Sequence, residues 1–123
     1  LTLGTATPGG GFPAYGAGFV AALAAVEPGL LVTPQNTEGS TQNVRLLAEG
    51  RIDLALVQGE VAIRALTGGG ATLITAMYAT PGLFALRGDH VARSIAELRG
   101  QPIAWGARGS GFIVLARQVM GAL

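Results

Sequence analysis

The chain has no cysteine, no lysine, a single histidine and only 12% charged residues. Each shortage removes a class of chemistry. Without cysteine there is no disulfide, no thiol nucleophile and no thiolate metal site, although the redox compartment stays open. Without lysine there is no phosphate-loop lysine, no Schiff base and no lysine general base. His90 alone cannot build a multi-histidine zinc site within one chain. Neither a metal nor a cofactor is expected. Eight arginines against seven acids leave a net charge of +1, with no run of either sign. A nucleic-acid surface needs clustered basic charge, so no nucleic-acid partner is expected.

Half of the 123 residues are hydrophobic, where an average soluble domain also carries about 25% charged residues. Disorder is excluded, and most strands should be covered on both faces. Two uncharged stretches, 1–26 and 65–86, are interrupted by Gly9-Gly10-Gly11 and Pro13, and by Gly68-Gly69-Gly70 and Pro81-Gly82. Neither offers the roughly 20 unbroken apolar residues that a spanning helix needs. No basic region precedes Leu1, so any signal peptide lies outside these residues. The last apolar segment stops at Gly121-Ala122-Leu123 without a polar tail, as in part of a longer protein.

Apolar strands are expected at Leu1–Thr5, Leu30–Thr33, Asp53–Gln58, Leu73–Ala79, Leu83–Leu86 and Ile103–Trp105. Helices are expected from about Ala14 to Val26, from an N-cap at Ser40 to Gly50, from Gly59 to Thr67, and from Phe112 onward. Ser94-Ile95-Ala96-Glu97 is a capping box opening a single turn that ends at Gly100. Strands that alternate with helices and read as continuous apolar runs predict an α/β fold with a parallel doubly wound sheet.

In such a sheet, ligands sit beyond the carboxyl ends of the strands. Three strand-to-helix loops share one design of glycines and small hydroxyls before a helix: Thr5–Gly16, Thr37–Asn43 and Gly106–Gly111. Helix N-termini present free N–H groups to carboxylate or phosphate, and glycine lets backbone approach the ligand. Together they predict an anion-recognising pocket without a basic side chain. Gly11-Phe12-Pro13-Ala14-Tyr15-Gly16 has the outer glycines of a phosphate loop but lacks its Lys-Ser/Thr. No serine has glycine on both sides at the spacing of a nucleophile elbow. Asp53 and Glu60 read as a strand start and a helix first turn rather than a catalytic pair. His90 reads as a turn residue and Trp105 as core, while Tyr78 can either pack or turn its hydroxyl into a cleft.

Gly4-Thr5-x-x-Pro8-Gly9-Gly10, Thr37-x-Gly39-Ser40-x-x-Asn43, Asp53-Leu54-Ala55 with Gln58, Leu98-Arg99-Gly100, and Gly106-x-x-Gly109-Ser110-Gly111 resemble the TAXI-type solute receptors of TRAP transporters. The resemblance runs the whole length of the chain. It implies the first lobe of a type II periplasmic-binding-protein-like fold over residues 1–87 and the beginning of a second over 88–123. It implies a periplasmic or otherwise extracytoplasmic protein, not an enzyme, that delivers a small carboxylate, glutamate-like among the candidates, to a membrane permease. The ligand-binding positions it implies are Thr5, Gly9, Gly10, Gly11, Phe12, Gly39, Ser40, Asn43, Gln58, Tyr78, Gly109, Ser110 and Gly111. Gly11 and Phe12 depart from the family's usual hydroxyl residues, which leaves recognition at the first loop to backbone N–H groups. An enzyme or a sensor domain on the same two-lobed fold is the alternative. About 36 residues are too few for an independent core, so the second-lobe piece is expected to associate with another copy.

Overall fold

The computed structural model describes residues 1–79 and 82–121. Its sheet has three parallel strands, β1 (Thr2–Gly4), β2 (Thr33–Gln35) and β3 (Leu54–Ala55), in the order β2-β1-β3. Leu3 faces Pro34 on one side and Leu54 on the other. Helices α1 (Gly11–Val26), α2 (Ser40–Ala48) and α3 (Gly59–Thr67) follow the three strands in turn. A one-turn 3-10 helix, Ile95–Leu98, and α4 (Gly111–Gly121) are the remaining helices among the described residues. The small α/β fold with a parallel sheet is the one expected, consistent with a fragment of a periplasmic-binding-protein-like molecule. Because β1 feeds α1 toward β2 while α2 returns to β3 on the opposite side, the strand order reverses at β1. Ligand crevices form at such a reversal.

Local chemistry accounts for several boundaries. Helix α1 starts at Gly11 rather than near Ala14 because Pro13 falls in its first turn, where no intrahelical N–H is needed. Gly50, at φ +66, ends α2: its N–H bonds the Leu47 carbonyl, and the Arg51 N–H bonds that of Leu46. Strand β2 lies two to three residues beyond its expected place and contains Pro34. An edge strand tolerates proline because one side of its ladder is unpaired. The core joins Leu3, Val32 and Leu56 to Phe12, Tyr15, Phe19, Val20, Leu23, Leu54 and Met77. Gly16 is enclosed there, since a Cβ on it would stand 2.8 Å from Thr5 Cγ2.

Three expected strands are absent. Residues 73–79, 83–86 and 103–105 carry no strand among the described residues. They have the composition of strands, but a strand exists only against a partner. Leu73, Ile74 and Leu83 are exposed. Trp105 is half-buried off the sheet, between Phe84 (centroids 5.8 Å apart, edge-on) and Phe112 (6.3 Å). Pro81 of the expected turn, and Ala122 and Leu123 of the last helix, lie outside the described residues. No described helix is long and apolar enough to cross a membrane.

Candidate functional site

The carboxyl ends of β1 and β3 are joined by one side chain. Asn43, fully buried in α2, donates from Nδ2 to the carbonyls of Thr5 (2.8 Å), Leu56 (2.8 Å) and Gly4 (3.2 Å). An amide nitrogen has two hydrogens, so the longest of the three is shared. Its Oδ1 is buried and accepts no hydrogen bond from the described residues. Thr5 performs the matching task on the other side: its N–H and its Oγ1 both donate to the Gln35 carbonyl at 2.9 Å. Thr5 and Asn43 therefore fasten the three strand ends that carry the loops.

Ser40 is expected from its sequence to cap α2. The N-cap is Gly39 instead, at φ +118, and Ser40 is the first helical residue. Ser40 is 1% exposed, and its Oγ accepts the Gln58 N–H at 3.0 Å and so ties the α2 N-terminus to the start of α3. Ser40→Ala leaves that half-buried N–H without its protein partner and is expected to lower stability by about 1 kcal/mol, measured by urea denaturation. An unchanged midpoint would mean that water replaces the hydroxyl.

The loop at 106–111 packs directly on this pair. The Thr41 N–H donates to the Gly109 carbonyl at 2.9 Å, and the Phe112 N–H bonds Ser110 Oγ at 3.2 Å. A Cβ on Gly111 would meet Gln58 Oε1 at 2.6 Å and Ser40 Oγ at 2.8 Å. One on Gly109 would meet Glu38 Cβ at 2.5 Å. Glycine at these two positions is what allows the α4 N-terminus to reach α2 and α3.

Around these elements lies a cavity of ≈ 1010 Å³, at the upper end of the range of ligand sites. The N-terminal turns of all four α-helices open onto it: Gly10, Gly11 and Phe12 of α1, Gly39 and Ser40 of α2, Gln58 and Gly59 of α3, Ser110 and Gly111 of α4. The first three carry no side-chain cap on their N-termini. Tyr78, left open by its sequence, does both things. Its ring stacks on Tyr15 (centroids 4.7 Å, 30°), and its hydroxyl lies 4.0 Å from where a Gly11 Cβ would stand. Tyr78 also lines the cavity, as does the whole of the segment 71–79.

Nine of the thirteen expected positions thus line one cavity. Thr5, Gly9, Asn43 and Gly109 do not. Thr5 and Asn43 are consumed by backbone carbonyls, Gly9 is a turn at φ +81 facing open space, and Gly109 lies beneath Glu38. The three acids on the wall, Glu38, Asp53 and Glu60, were not expected there. Asp53 Oδ2 accepts the Thr2 N–H at 2.7 Å, and Glu60 occupies the first turn of α3. No arginine or histidine lines the cavity among the described residues. His90 Nδ1 accepts the Ala92 N–H at 3.1 Å, away from it. Among the described residues no group of three or more histidines or carboxylates could hold a metal ion.

No solved structure matches the chain significantly. A family model matches residues 3–123, nearly the whole length, and that match spans every loop just described. The chain therefore belongs to the NMT1-like family, whose members are periplasmic-binding-protein-like substrate-binding proteins.

Proposed function

We propose that the protein captures a small carboxylate, glutamate-like, outside the cytoplasm and passes it, without chemistry, to the membrane permease of a TRAP-type transporter. Residues 1–87 form one lobe in this reading and 88–123 begin another. The observation that carries it is the convergence of four helix N-termini on one cavity with no basic side chain among the described residues. Partial positive charge at helix ends, with backbone N–H groups, holds an anion without a counter-ion residue. The acids on the same wall refine the ligand. A plain dicarboxylate would bring further negative charge to Glu38 and Glu60 on that wall, whereas the ammonium of an amino acid gives them a partner. Val91, 83% exposed, leaves apolar surface on the second-lobe piece, for which association with another copy is the proposed cover.

Calorimetric titration with glutamate and with glutarate, which lacks the ammonium, tests both halves. Glutamate is expected to bind, and glutarate about tenfold more weakly or worse, since a hydrogen bond to a charged group contributes about 1.5–3 kcal/mol. Equal affinities would remove the ammonium from the reading. Absence of binding by both would remove the carboxylate.

A further inference from the structure

We infer that the solute carries, beyond its glutamate-like head, an apolar chain or ring that lies against α3 and the segment 71–79. This rests on the carboxylate reading above and adds a second part to the ligand. The cavity that receives the helix N-termini also gathers exposed apolar side chains. Ile63, Leu66, Leu73, Ile74 and Tyr78 are all exposed, and all five line it. Large apolar side chains exposed singly are ordinary, but several collected in one concavity mark a binding site.

The two kinds of wall are continuous along α3. Gln58 and Gly59 stand on the wall at its start, followed by Glu60. Beyond Glu60, the residues of α3 on the wall are Ala62, Ile63, Ala65 and Leu66, and Arg64 is not among them. At the helical rise, Ile63 lies about 6 Å and Leu66 about 10 Å along the axis from Gly59. The segment 71–79, which has no charged residue, faces the same space along its whole length. A head group at the helix ends therefore leaves an apolar space about 6–10 Å deep beside it. Glutamate alone would fill only the polar end of a cavity of ≈ 1010 Å³. One small molecule reaches both ends, whereas Val91, on the surface assigned to another copy, is not on this wall.

The test separates head from body. Acetate, butyrate, hexanoate and 1-hexanol are titrated into the protein while the methyl resonances of Ile63 and Leu66 are followed. Affinity is expected to rise about fourfold for each methylene buried, with hexanoate moving both sets of methyls. Hexanoate should bind at least tenfold more tightly than 1-hexanol, since a hydrogen bond to a charged group contributes about 1.5–3 kcal/mol. Ile63→Gln combined with Leu73→Gln should flatten the dependence on chain length. Both side chains are exposed, 63% and 59%, so the fold does not depend on them, and an unchanged circular dichroism spectrum checks this. Equal binding of hexanoate and 1-hexanol would support the apolar wall and sink only the carboxylate reading. Affinity independent of chain length, or a slope that survives in the double variant, would overturn the inference and leave the carboxylate reading standing. Dimers in light scattering that the double variant abolishes would assign this wall to a second copy and overturn it as well.

Discussion

Replacing Asn43 with aspartate is expected to cost about 3–5 kcal/mol, the range for an uncompensated charge in a protein interior. The exchange is nearly isosteric, so packing is kept and only hydrogen bonding changes. Three carbonyls, of Gly4, Thr5 and Leu56, lose their donor and face a carboxylate instead. Such a domain has about 5–15 kcal/mol in total, and the thermal midpoint should fall by about 10–20 °C. The effect has a pH signature. Burial among carbonyls raises the folded-state pKa of the introduced carboxylate above its unfolded value of about 3.9. The protonated form is thus favoured in the folded protein, and the penalty is least below pH 4 and grows as pH rises through the folded-state value. A variant within about 1 kcal/mol of the wild type at neutral pH would show that water reaches these carbonyls.

Gly111→Val should act on stability and on the site together. Ser40 cannot step aside, being 1% exposed and held to the Gln58 N–H. With contacts of 2.6–2.9 Å to Gln58 Oε1 and to Ser40 Oγ and Cβ already set by the first side-chain carbon, α4 itself must move. Overpacking of this kind costs about 1–3 kcal/mol. The cavity wall made by Ser110, Gly111 and Phe112 moves with the helix, so glutamate binding should weaken more than stability alone explains. Gly111→Ala should show the same pair of effects at smaller size. Normal binding by a destabilised Gly111→Val protein would take α4 out of the site.

Much of this arrangement is legible before any coordinates. Helix α3 runs from Gly59 to Thr67 as read, because its apolar spacing is followed at once by three glycines. The glycine-and-hydroxyl loops reveal that several helix ends meet, since that design makes physical sense only where backbone must be approached closely. What they do not reveal is which polar groups face the ligand and which face the protein. Ser40, Asn43 and Thr5 have the residue types of a binding site, yet their hydrogen bonds go to the main chain. Backbone partners distant in sequence leave no trace in local pattern. The acids on the wall are hidden for the same reason. The misread strands at 73–79, 83–86 and 103–105 reflect propensity without pairing, because β composition describes a surface that fits a sheet, not a sheet.

The order β2-β1-β3 also bears on how the molecule is made. The central strand precedes both of its partners along the chain, and both pairings are parallel, so each must wait for a helical crossover. Thr2–Gly4 therefore has two open edges until residues near 35 and near 55 have been synthesised and returned to it. Non-local pairing of this kind folds slowly. During that interval Leu1-Thr2-Leu3 is an apolar strand with both edges open to wrong partners.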